Sequence, residues 1–581
     1  MSITDKSTQS RRQFFVSTSA IAAAAALPSA AISDPQNKPV SKTPIQITQS
    51  QPQSADVSKI TQATLAEAEK LVGVEFTPKE REQMLQGMED NTKRFKNRRS
   101  QELQNALAPA TVFDPRFPGV KLVANKNKFI GSTVNPGPLP RASEDIAFAP
   151  VTALSYWIKN RKISSRRLTD IYIRRLRRIG PKLECVVTIT NDLARQQAAR
   201  ADEEIKAGNY RGPLHGIPWG AKDLFDTAGI TTSWGATPYK DRVPDEDAAV
   251  VKRLDEAGAV LIAKTTLGAL AYGDIWFGGR TNNPWKLDQG SSGSSAGSSA
   301  GTAAGLFGFS LGTETLGSIV SPCMRCGTTG LRPTFGRVSR AGAMALCWSL
   351  DKVGPICRTV EDCALVLDVI RGHDPADASS IDMPFEFDAT KSVSGLRVGY
   401  SPGWFDGRGA TDNDRAALDA LKKLGLEFVE VELPKWPYGM LMTILMSEAA
   451  SAFEELTLSN LDDELVWQKP EAWPNSFRQT RFTPAIEFVQ AQRFRRKVMQ
   501  MMDDKFADID VMISPSFAAR LLLITNNTGH PSLTMRCGFN DDGTPHGITM
   551  LGRLFDEGTL CRIGMALEKQ LNVWHKRPPA V

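Results

Sequence analysis

The sequence lacks the cysteine and histidine spacings that build metal sites. Its 581 residues include only five histidines and eight scattered cysteines. Cys323 and Cys326 form the single CxxC pair, and no second pair follows at metal-ligand spacing. A zinc site is therefore disfavoured. The pair is a weak indication of redox chemistry, and we expect the cysteines to be buried apolar side chains.

Strong charge and long hydrophobic runs are also absent. A net charge of +6 is small for this length, and the densest basic run, residues 159–178, carries Leu168, Ile171 and Leu176 at helical spacing. This pattern predicts an amphipathic helix with a solvated basic face. We therefore expect no nucleic-acid partner. The apolar run at residues 21–27 is too short for a stable transmembrane helix.

The amino terminus has the pattern of an export signal. Arg11 and Arg12 precede the apolar run, and the small residues Ser29, Ala30 and Ala31 follow it. This order predicts a twin-arginine signal over residues 1–31, with the twin-arginine export machinery as a partner. We therefore expect a periplasmic or otherwise exported protein. The alternative is a chance arginine pair before a disordered alanine-rich tail.

The rest of the chain divides into three predicted regions. Residues 32–58, rich in Gln, Pro, Ser and Thr, predict a disordered linker. Residues 59–142 predict a helical N-terminal extension, with one helix starting at Thr77 ahead of a proline. Residues 143–575 alternate short β-rich runs with helical stretches. They predict a single large α/β domain with a mixed β-sheet core flanked by helices.

One glycine- and serine-rich segment stands out within that domain. Residues 290–318 read GSSGSSAGSSAGTAAGLFGFSLGTETLGS. The first half alone is compatible with a flexible linker. The second half is too apolar for a solvated tether, so the segment is expected inside the packed fold. Glycine next to buried hydroxyls indicates backbone pressed close to a ligand or an oxyanion, which makes the segment a candidate active site.

Three polar residues are the candidates for chemistry. Lys222 lies among glycine, proline and apolar residues, where desolvation would lower its pKa and allow it to act as a base. Ser294 and Ser318 lie in the glycine- and serine-rich segment, and a serine nucleophile needs a base within reach. None of the five histidines lies there. Taken singly, Lys222 is more ordinarily a surface lysine and Ser318 a helix cap.

Several ordered motifs resemble those of the amidase signature enzymes, over about residues 146–570. They are the segments at residues 214–223, 290–319, 330–339, 349–362, 531–535 and 551–557. Several motifs in the right order are far more specific than one glycine motif. The resemblance implies one large amidase-signature-type domain.

The resemblance also implies a Ser-cisSer-Lys triad. Ser318 would be the nucleophile, Ser294 the relay serine after a cis peptide bond to Gly293, and Lys222 the general base. The backbone N–H groups of Thr315, Leu316, Gly317 and Ser318 would form the oxyanion hole, as predicted from the same motif. The implied reaction is acyl transfer to water, with no metal and no organic cofactor.

The chain departs from the family pattern around the nucleophile. Leu316 stands where a glycine is usual, Glu314 where an aspartate is usual, and Val320 where an arginine is usual. Two further glycines of the pattern are replaced, by Ser292 and Ala296. The usual aspartate and arginine, here Glu314 and Val320, look like one charged pair. Changes at both positions indicate that the turn is supported in a rearranged way. Leu316 is expected to narrow the acyl pocket.

Three functions follow from this pattern. The leading hypothesis is an exported amidase acting on small-molecule or peptide-type amides, with a homodimer as a further expectation. The second is the catalytic A-type subunit of a tRNA-dependent amidotransferase, against which the export signal argues. The third is a non-catalytic binding protein with the same fold. The substrate itself is expected to depend on pocket walls near residues 271–280, 343–350 and 440–481.

Overall fold

The structure, a computed structural model, describes residues 60–101, 103–123, 126–133 and 135–579. The predicted export signal and the predicted linker lie outside the described residues. Within the described residues, no helix is both long and apolar enough to cross a membrane.

The α-helices are distributed along the whole described chain. The first nine are α1 (Gln62–Val72), α2 (Pro78–Arg99), α3 (Ser143–Ala147), α4 (Val151–Lys159), α5 (Ser165–Leu183), α6 (Asn191–Lys206), α7 (Ala249–Glu256), α8 (Ala296–Ala303) and α9 (Val320–Cys326). They are followed by α10 (Val360–Ile370), α11 (Pro402–Phe405), α12 (Asp412–Lys422), α13 (Met442–Ala452), α14 (Glu454–Leu458), α15 (Trp473–Thr480), α16 (Ala485–Phe506), α17 (Leu521–Thr528) and α18 (Glu557–Leu571).

The strands begin only after the first two helices. The first nine are β1 (Lys128–Ile130), β2 (Val186–Ile189), β3 (Pro218–Lys222), β4 (Val260–Thr265), β5 (Ile275–Trp276), β6 (Gly279–Arg280), β7 (Asn282–Asn283), β8 (Lys286–Gly290) and β9 (Phe309–Glu314). The others are β10 (Thr329–Arg332), β11 (Lys352–Cys357), β12 (Glu386–Asp388), β13 (Arg397–Tyr400), β14 (Glu427–Glu430), β15 (Val511–Pro515), β16 (Ser532–Phe539) and β17 (Pro545–Gly552).

The described residues form two compact units. The smaller unit contains residues 60–101 together with Glu454–Asp463 and Gln468–Phe482. Its helix α2 starts as the sequence predicts, because the Thr77 side chain accepts from the Glu80 N–H and Glu80 reaches back to the Thr77 N–H. Within this unit Arg98 and Arg481 both pair with Glu454. The predicted boundary between residues 142 and 143 stays a prediction.

The larger unit is built on one mixed sheet of eleven strands, as predicted. Its strand order is β14-β13-β15-β17-β16-β10-β11-β9-β3-β4-β2. β3 is parallel to both of its neighbours, β4 and β9, whereas β9 and β11 are antiparallel. Helices α5, α8, α10 and α18 contact the strands of this sheet. The sheet is therefore covered by helices, which is the α/β architecture that the sequence predicts.

The central strands are buried along their entire length. Every residue of β3, β4, β9 and β11 is buried, including the polar ones. Lys222 ends β3 and Glu314 ends β9. Because neighbouring parallel strands end at the same edge of a sheet, Lys222 and Glu314 lie at the same edge.

Candidate functional site

Lys222 lies at the carboxyl end of β3 with its side chain fully buried. Its Nζ donates to the hydroxyl oxygens of Ser294 at 2.8 Å, Thr313 at 2.8 Å and Ser295 at 3.2 Å. A fourth contact runs to the Thr313 carbonyl oxygen at 3.4 Å. The lysine is thus surrounded by neutral oxygens, and no carboxylate among the described residues forms an ion pair with it.

The surroundings of Lys222 favour its neutral form. Burial lowers the pKa of Lys222 to about 7, while the carboxylates of Asp351 and Glu314 act in the opposite direction. Desolvation dominates because a buried ammonium loses its hydration. At neutral pH a large fraction of this side chain therefore carries a free lone pair, which is the state that a general base needs.

Ser294 is presented to Lys222 by an unusual backbone. The peptide bond between Gly293 and Ser294 is cis, as the sequence predicts. At Gly293 a Cβ atom would lie 1.8 Å from the carbonyl oxygen of Gly273. Only glycine leaves room for that approach, so the residue before Ser294 is dictated by packing.

Ser318 lies next to the two serines that contact Lys222. Its carbonyl oxygen accepts a hydrogen bond from the Ser295 N–H at 3.1 Å. It follows Gly317, whose φ of +88° lies in the region that favours glycine. The Ser318 hydroxyl forms no hydrogen bond with any residue that the structure describes. The structure therefore brings Lys222 and Ser294 into direct contact and places Ser318 beside them through the backbone.

The turn before Ser318 carries free backbone donors. Within the described ranges, the N–H groups of Leu316, Gly317 and Ser318 have no protein acceptor. The Thr315 hydroxyl donates to Asp351 Oδ1 at 2.5 Å, which ties the start of the turn to the loop before β11. Free N–H groups of one turn are the donors that an oxyanion requires. Their predicted role as the oxyanion hole stays a prediction.

Glu314 supports this turn from beneath. Its Oε2 accepts from the N–H groups of Ile319 at 2.8 Å and Val320 at 2.9 Å. Its Oε1 accepts from Arg332 at 2.6 Å and from Asn526 at 2.9 Å. These partners outweigh burial and lower the pKa of Glu314 to about 2. The carboxylate is therefore ionised and closes residues 314–320 into a ring around Ser318.

The structure shows which residue takes the place of the usual arginine in supporting the turn before Ser318. The arginine partner comes from Arg332 on β10, and the side chain of Val320 is buried. Leu316 is half-buried and packs against a core cluster that includes Leu521 and Ile524. Asn526 was not found by sequence reasoning, because it lies 212 residues from Glu314 and in no quoted motif.

The aromatic residues within the three predicted pocket walls have varied surroundings. Tyr272 and Trp467 stack with ring centroids 5.0 Å apart. Trp276 contacts Phe277 edge-on, and the Trp348 Nε1 donates to the Asn105 carbonyl. The predicted wall at residues 440–481 is divided between the two units.

Cysteine chemistry takes no part in the site. All eight cysteines, including Cys323 and Cys326, are buried free thiols. Among the described residues one group has the side chains to hold a metal ion, namely Asp414, Cys537 and His546. These three belong to α12 and to the hairpin β16–β17, and sequence spacing gave no sign of them.

The chain is similar to known proteins. A family model described as Amidase matches residues 167–524. A curated amidase from Pseudomonas putida is 35% identical over 459 residues, which cover 73% of this chain and 96% of that protein. The A-type subunit of the glutamyl-tRNA(Gln) amidotransferase from Hahella chejuensis (strain KCTC 2396) is 33% identical over 475 residues, 73% of this chain and 97% of that protein.

A solved structure agrees with the sequence comparison. The native peptide amidase from Stenotrophomonas maltophilia superposes with a TM-score of 0.67 at 29% identity, covering 74% of this chain and 98% of that protein. It supports the sheet and helix arrangement described above.

These relatives correct one prediction. Several are named as the A-type subunit of a glutamyl-tRNA(Gln) amidotransferase, so their enzyme is named for a tRNA and for more than one subunit. The prediction that no nucleic acid is a partner is therefore wrong. It rested on the small net charge and on the amphipathic helix, and these argue only against a broad basic surface on this chain.

The resemblance seen in the motifs is confirmed by both kinds of comparison. The family model spans more than half of the chain, and relatives of at least 33% identity cover nearly their own full lengths. We conclude that the chain belongs to the amidase family, whose members are hydrolases of carbon–nitrogen amide bonds.

Proposed function

We propose that this chain hydrolyses an amide through an acyl-enzyme on Ser318, with Ser294 as relay and Lys222 as general base. The observation that supports this most is the buried Lys222 Nζ, 2.8 Å from the Ser294 hydroxyl and with a pKa lowered to about 7. A neutral amine in this position can accept the Ser294 proton while Ser294 accepts the proton of Ser318.

The bond changes balance without a further reactant except water. The Ser318 Oγ forms a bond to the amide carbon, and the proton held by Lys222 returns through Ser294 to the nitrogen as the C–N bond breaks. Water then attacks the ester and passes a proton through Ser294 to Lys222. This proton returns to the Ser318 Oγ as the C–O bond breaks and the acid leaves.

The turn at residues 315–318 is the proposed oxyanion hole. Its unpaired N–H groups at Leu316, Gly317 and Ser318 would donate to the negative oxygen of the tetrahedral intermediate. One donor of this kind contributes about 2.7–4 kcal/mol to the transition state in comparable acyl-transfer sites. Glu314 keeps these donors in place through Ile319 and Val320.

A Ser318→Ala variant tests this mechanism. We expect it to lose amide turnover and covalent labelling by a fluorophosphonate, because both need the nucleophilic hydroxyl. Ser321→Ala is the matched control: Ser321 lies on α9, and among the described residues its hydroxyl bonds only to the Ser292 hydroxyl. The variant keeps the backbone bond to Gly317 and should keep both activities. Turnover by Ser318→Ala at the rate of the parent protein would refute the mechanism.

The second candidate, the A-type subunit of a tRNA-dependent amidotransferase, is supported by the names of the relatives. Those names support it better than they support a small-molecule amidase. The same acyl-enzyme would then release ammonia from an amide donor for transfer to a charged tRNA. The structural likeness to a peptide amidase supports the first candidate instead.

The need for partner subunits and tRNA separates the two candidates. Hydrolysis of peptide amides or aryl amides by the isolated chain supports an independent amidase. Ammonia release from glutamine that rises on adding partner subunits and glutamyl-tRNA supports the amidotransferase. Any hydrolysis that depends on Ser318 excludes a non-catalytic binding protein.

Export is a separate proposal that rests on Arg11 and Arg12 with the apolar run after them. A periplasmic or otherwise exported location would argue against a role in tRNA chemistry. Cell fractionation of the full chain beside an Arg11→Lys, Arg12→Lys variant tests it. Retention of both forms in the cytoplasm would refute export.

A further inference from the structure

A small basic cavity lies in the larger unit, lined by none of the proposed catalytic residues. Its volume is about 160 Å³. Four basic side chains and one acidic side chain contribute to its wall, namely Arg358, Arg536, Lys576, Arg577 and Asp145. The excess of positive charge in so small a space is the first sign of an anion site.

Arg536 is the most unusual of these residues, because it is only 6% exposed. Its guanidinium carbon lies 5.1 Å from the centre of the Trp285 ring and 5.3 Å from that of Phe539. The Nη2 donates to the Trp574 carbonyl oxygen at 2.5 Å. In the described part of the chain, the buried Nε has no hydrogen-bond partner, and no carboxylate forms an ion pair with Arg536.

The acidic groups near Arg536 do not neutralise it. Burial raises the pKa of Glu568 to about 8, so this carboxyl is mostly protonated at neutral pH. Asp145 pairs with Arg577 at 2.8 Å. Arg358 donates to three backbone carbonyl oxygens, from Ala149, Thr302 and Phe307, and none of them carries a charge.

An unpaired buried cation is costly, and a bound anion would remove that cost. A buried charge without a charged partner destabilises the folded protein. The Trp285 and Phe539 rings contact each other and lie on the same side of the Arg536 guanidinium, and the unpaired Nε–H is left for a charge-assisted hydrogen bond. Oxyanions are the ligands that accept such bonds.

We propose that this cavity binds a small oxyanion, either phosphate or a short carboxylate, with Arg536 as its central donor. The volume of about 160 Å³ corresponds to roughly five waters at about 30 Å³ each. It is well below the roughly 300 Å³ at which pockets for drug-sized ligands begin, which favours a small ligand. The site is independent of the proposed amide chemistry.

Calorimetric titration of the full chain tests the proposal. Sodium phosphate and sodium acetate are titrated separately at about pH 7, with sodium chloride holding the ionic strength constant. We expect saturable binding of at least one of the two anions, and the stronger binder identifies the source of the oxyanion. Arg536→Gln should weaken that binding by at least about tenfold, because it removes the charged donor.

Two further variants make the test decisive even if Arg536→Gln fails to fold. Lys576→Gln combined with Arg577→Gln changes exposed residues of the cavity wall and should weaken binding severalfold. Arg493→Gln removes one exposed positive charge from α16 and should leave binding unchanged. No saturable heat with either anion, or equal affinity in the parent and in the double variant, would overturn the proposal.

Discussion

The pKa of Lys222 is lowered because its neighbours carry no charge that would compensate for burial. Three hydroxyls and one carbonyl surround its Nζ, and all of them are neutral. The carboxylates of Asp351 and Glu314 influence it electrostatically, but they are bonded to Thr315, Arg332 and backbone donors. Desolvation therefore outweighs their attraction, and the pKa of the amine falls to about 7.

This balance predicts the pH dependence of turnover. Since the base is the neutral amine, kcat/KM should rise with pH through about 7 and level off above it, following the pKa of Lys222. The profile is measured with an amide substrate whose own ionisation lies outside this range. Lys222→Met should abolish turnover at every pH. A parent profile that is level from about pH 6 to pH 9 would contradict the assignment of Lys222 as base.

The Glu314 carboxylate leads to a prediction about stability and turnover together. Glu314→Gln keeps the size of the side chain but leaves the Arg332 charge buried without a partner. Breaking a buried pair in this way destabilises a protein by about 3–5 kcal/mol. We expect a loss of this order in urea unfolding, together with a fall in kcat and little change in KM.

Glu314→Asp is the matched comparison for that variant. It retains the charge and should lose less stability than Glu314→Gln, since Arg332 keeps an ionised partner. Equal stability of Glu314→Gln and the parent protein would show that the pair does not support the turn.

At the scale of elements, the cis segment depends on one close approach. A Cβ at position 293 would collide with the Gly273 carbonyl oxygen, so Gly293→Ala should displace Ser294 from Lys222. We expect a fall in kcat of at least about tenfold, since a misplacement of about 1 Å costs up to about a hundredfold in rate.

Gly439→Ala is the control for this substitution, because a Cβ there meets nothing within 4 Å. It should leave turnover unchanged. The Gly293→Ala prediction fails if that variant turns over as fast as Gly439→Ala.

Elements with strong local patterns could be predicted from the sequence, and long-range contacts could not. The Thr77 cap, helix α7 and strands such as β15 follow from capping residues and apolar runs, and the structure has them. The three proposed site residues came from ordered motifs. The bonds from Asn526 to Glu314 and from Asp351 to Thr315 join separate elements, and no local preference encodes such pairings.

The same limit applies to the smaller unit. Helices α1 and α2 could be predicted by their caps, but their grouping with α14 and α15 joins segments more than 350 residues apart, such as Arg98 and Glu454. A contact over this sequence distance produces no periodic pattern of residues in either segment.

For the whole molecule, buried titratable groups set the pH dependence of stability. Three buried lysines, Lys222, Lys264 and Lys352, have lowered pKa values. Between its folded pKa and its unfolded value of 10.5, each lysine binds more protons in the unfolded state, so unfolding becomes harder as pH rises. Each contributes a slope of up to about 1.4 kcal/mol per pH unit.

The cysteines lower the stability of the folded protein as pH rises above about 9. All eight thiols are buried, and burial raises the pKa of each above 9.0. Above that pH the unfolded state releases protons that the folded state retains, so stability falls. Glu568, with a pKa raised to about 8, also lowers stability with rising pH, but only up to that value.

We therefore expect the free energy of unfolding to rise from about pH 8 to about pH 9 and to fall above it. Urea unfolding under reducing conditions at a series of pH values measures this. In a Lys222→Met variant the rise should be shallower. A steady fall across the whole interval would contradict the prediction that the buried lysines dominate there.

The strand order of the large sheet follows the order of the chain. From one edge to the other, the sheet holds a block of β2–β4, then a block of β9–β11, then a block of β13–β17. No later block has to enter between strands of an earlier one, so a nascent chain leaving the ribosome can extend the sheet block by block. Asn526, whose side chain donates a hydrogen bond to Glu314, belongs to the last block of the chain. The Asn526 bond to Glu314 therefore forms only after the last block has been made, whereas the bonds from Arg332, Ile319 and Val320 to Glu314 can form earlier.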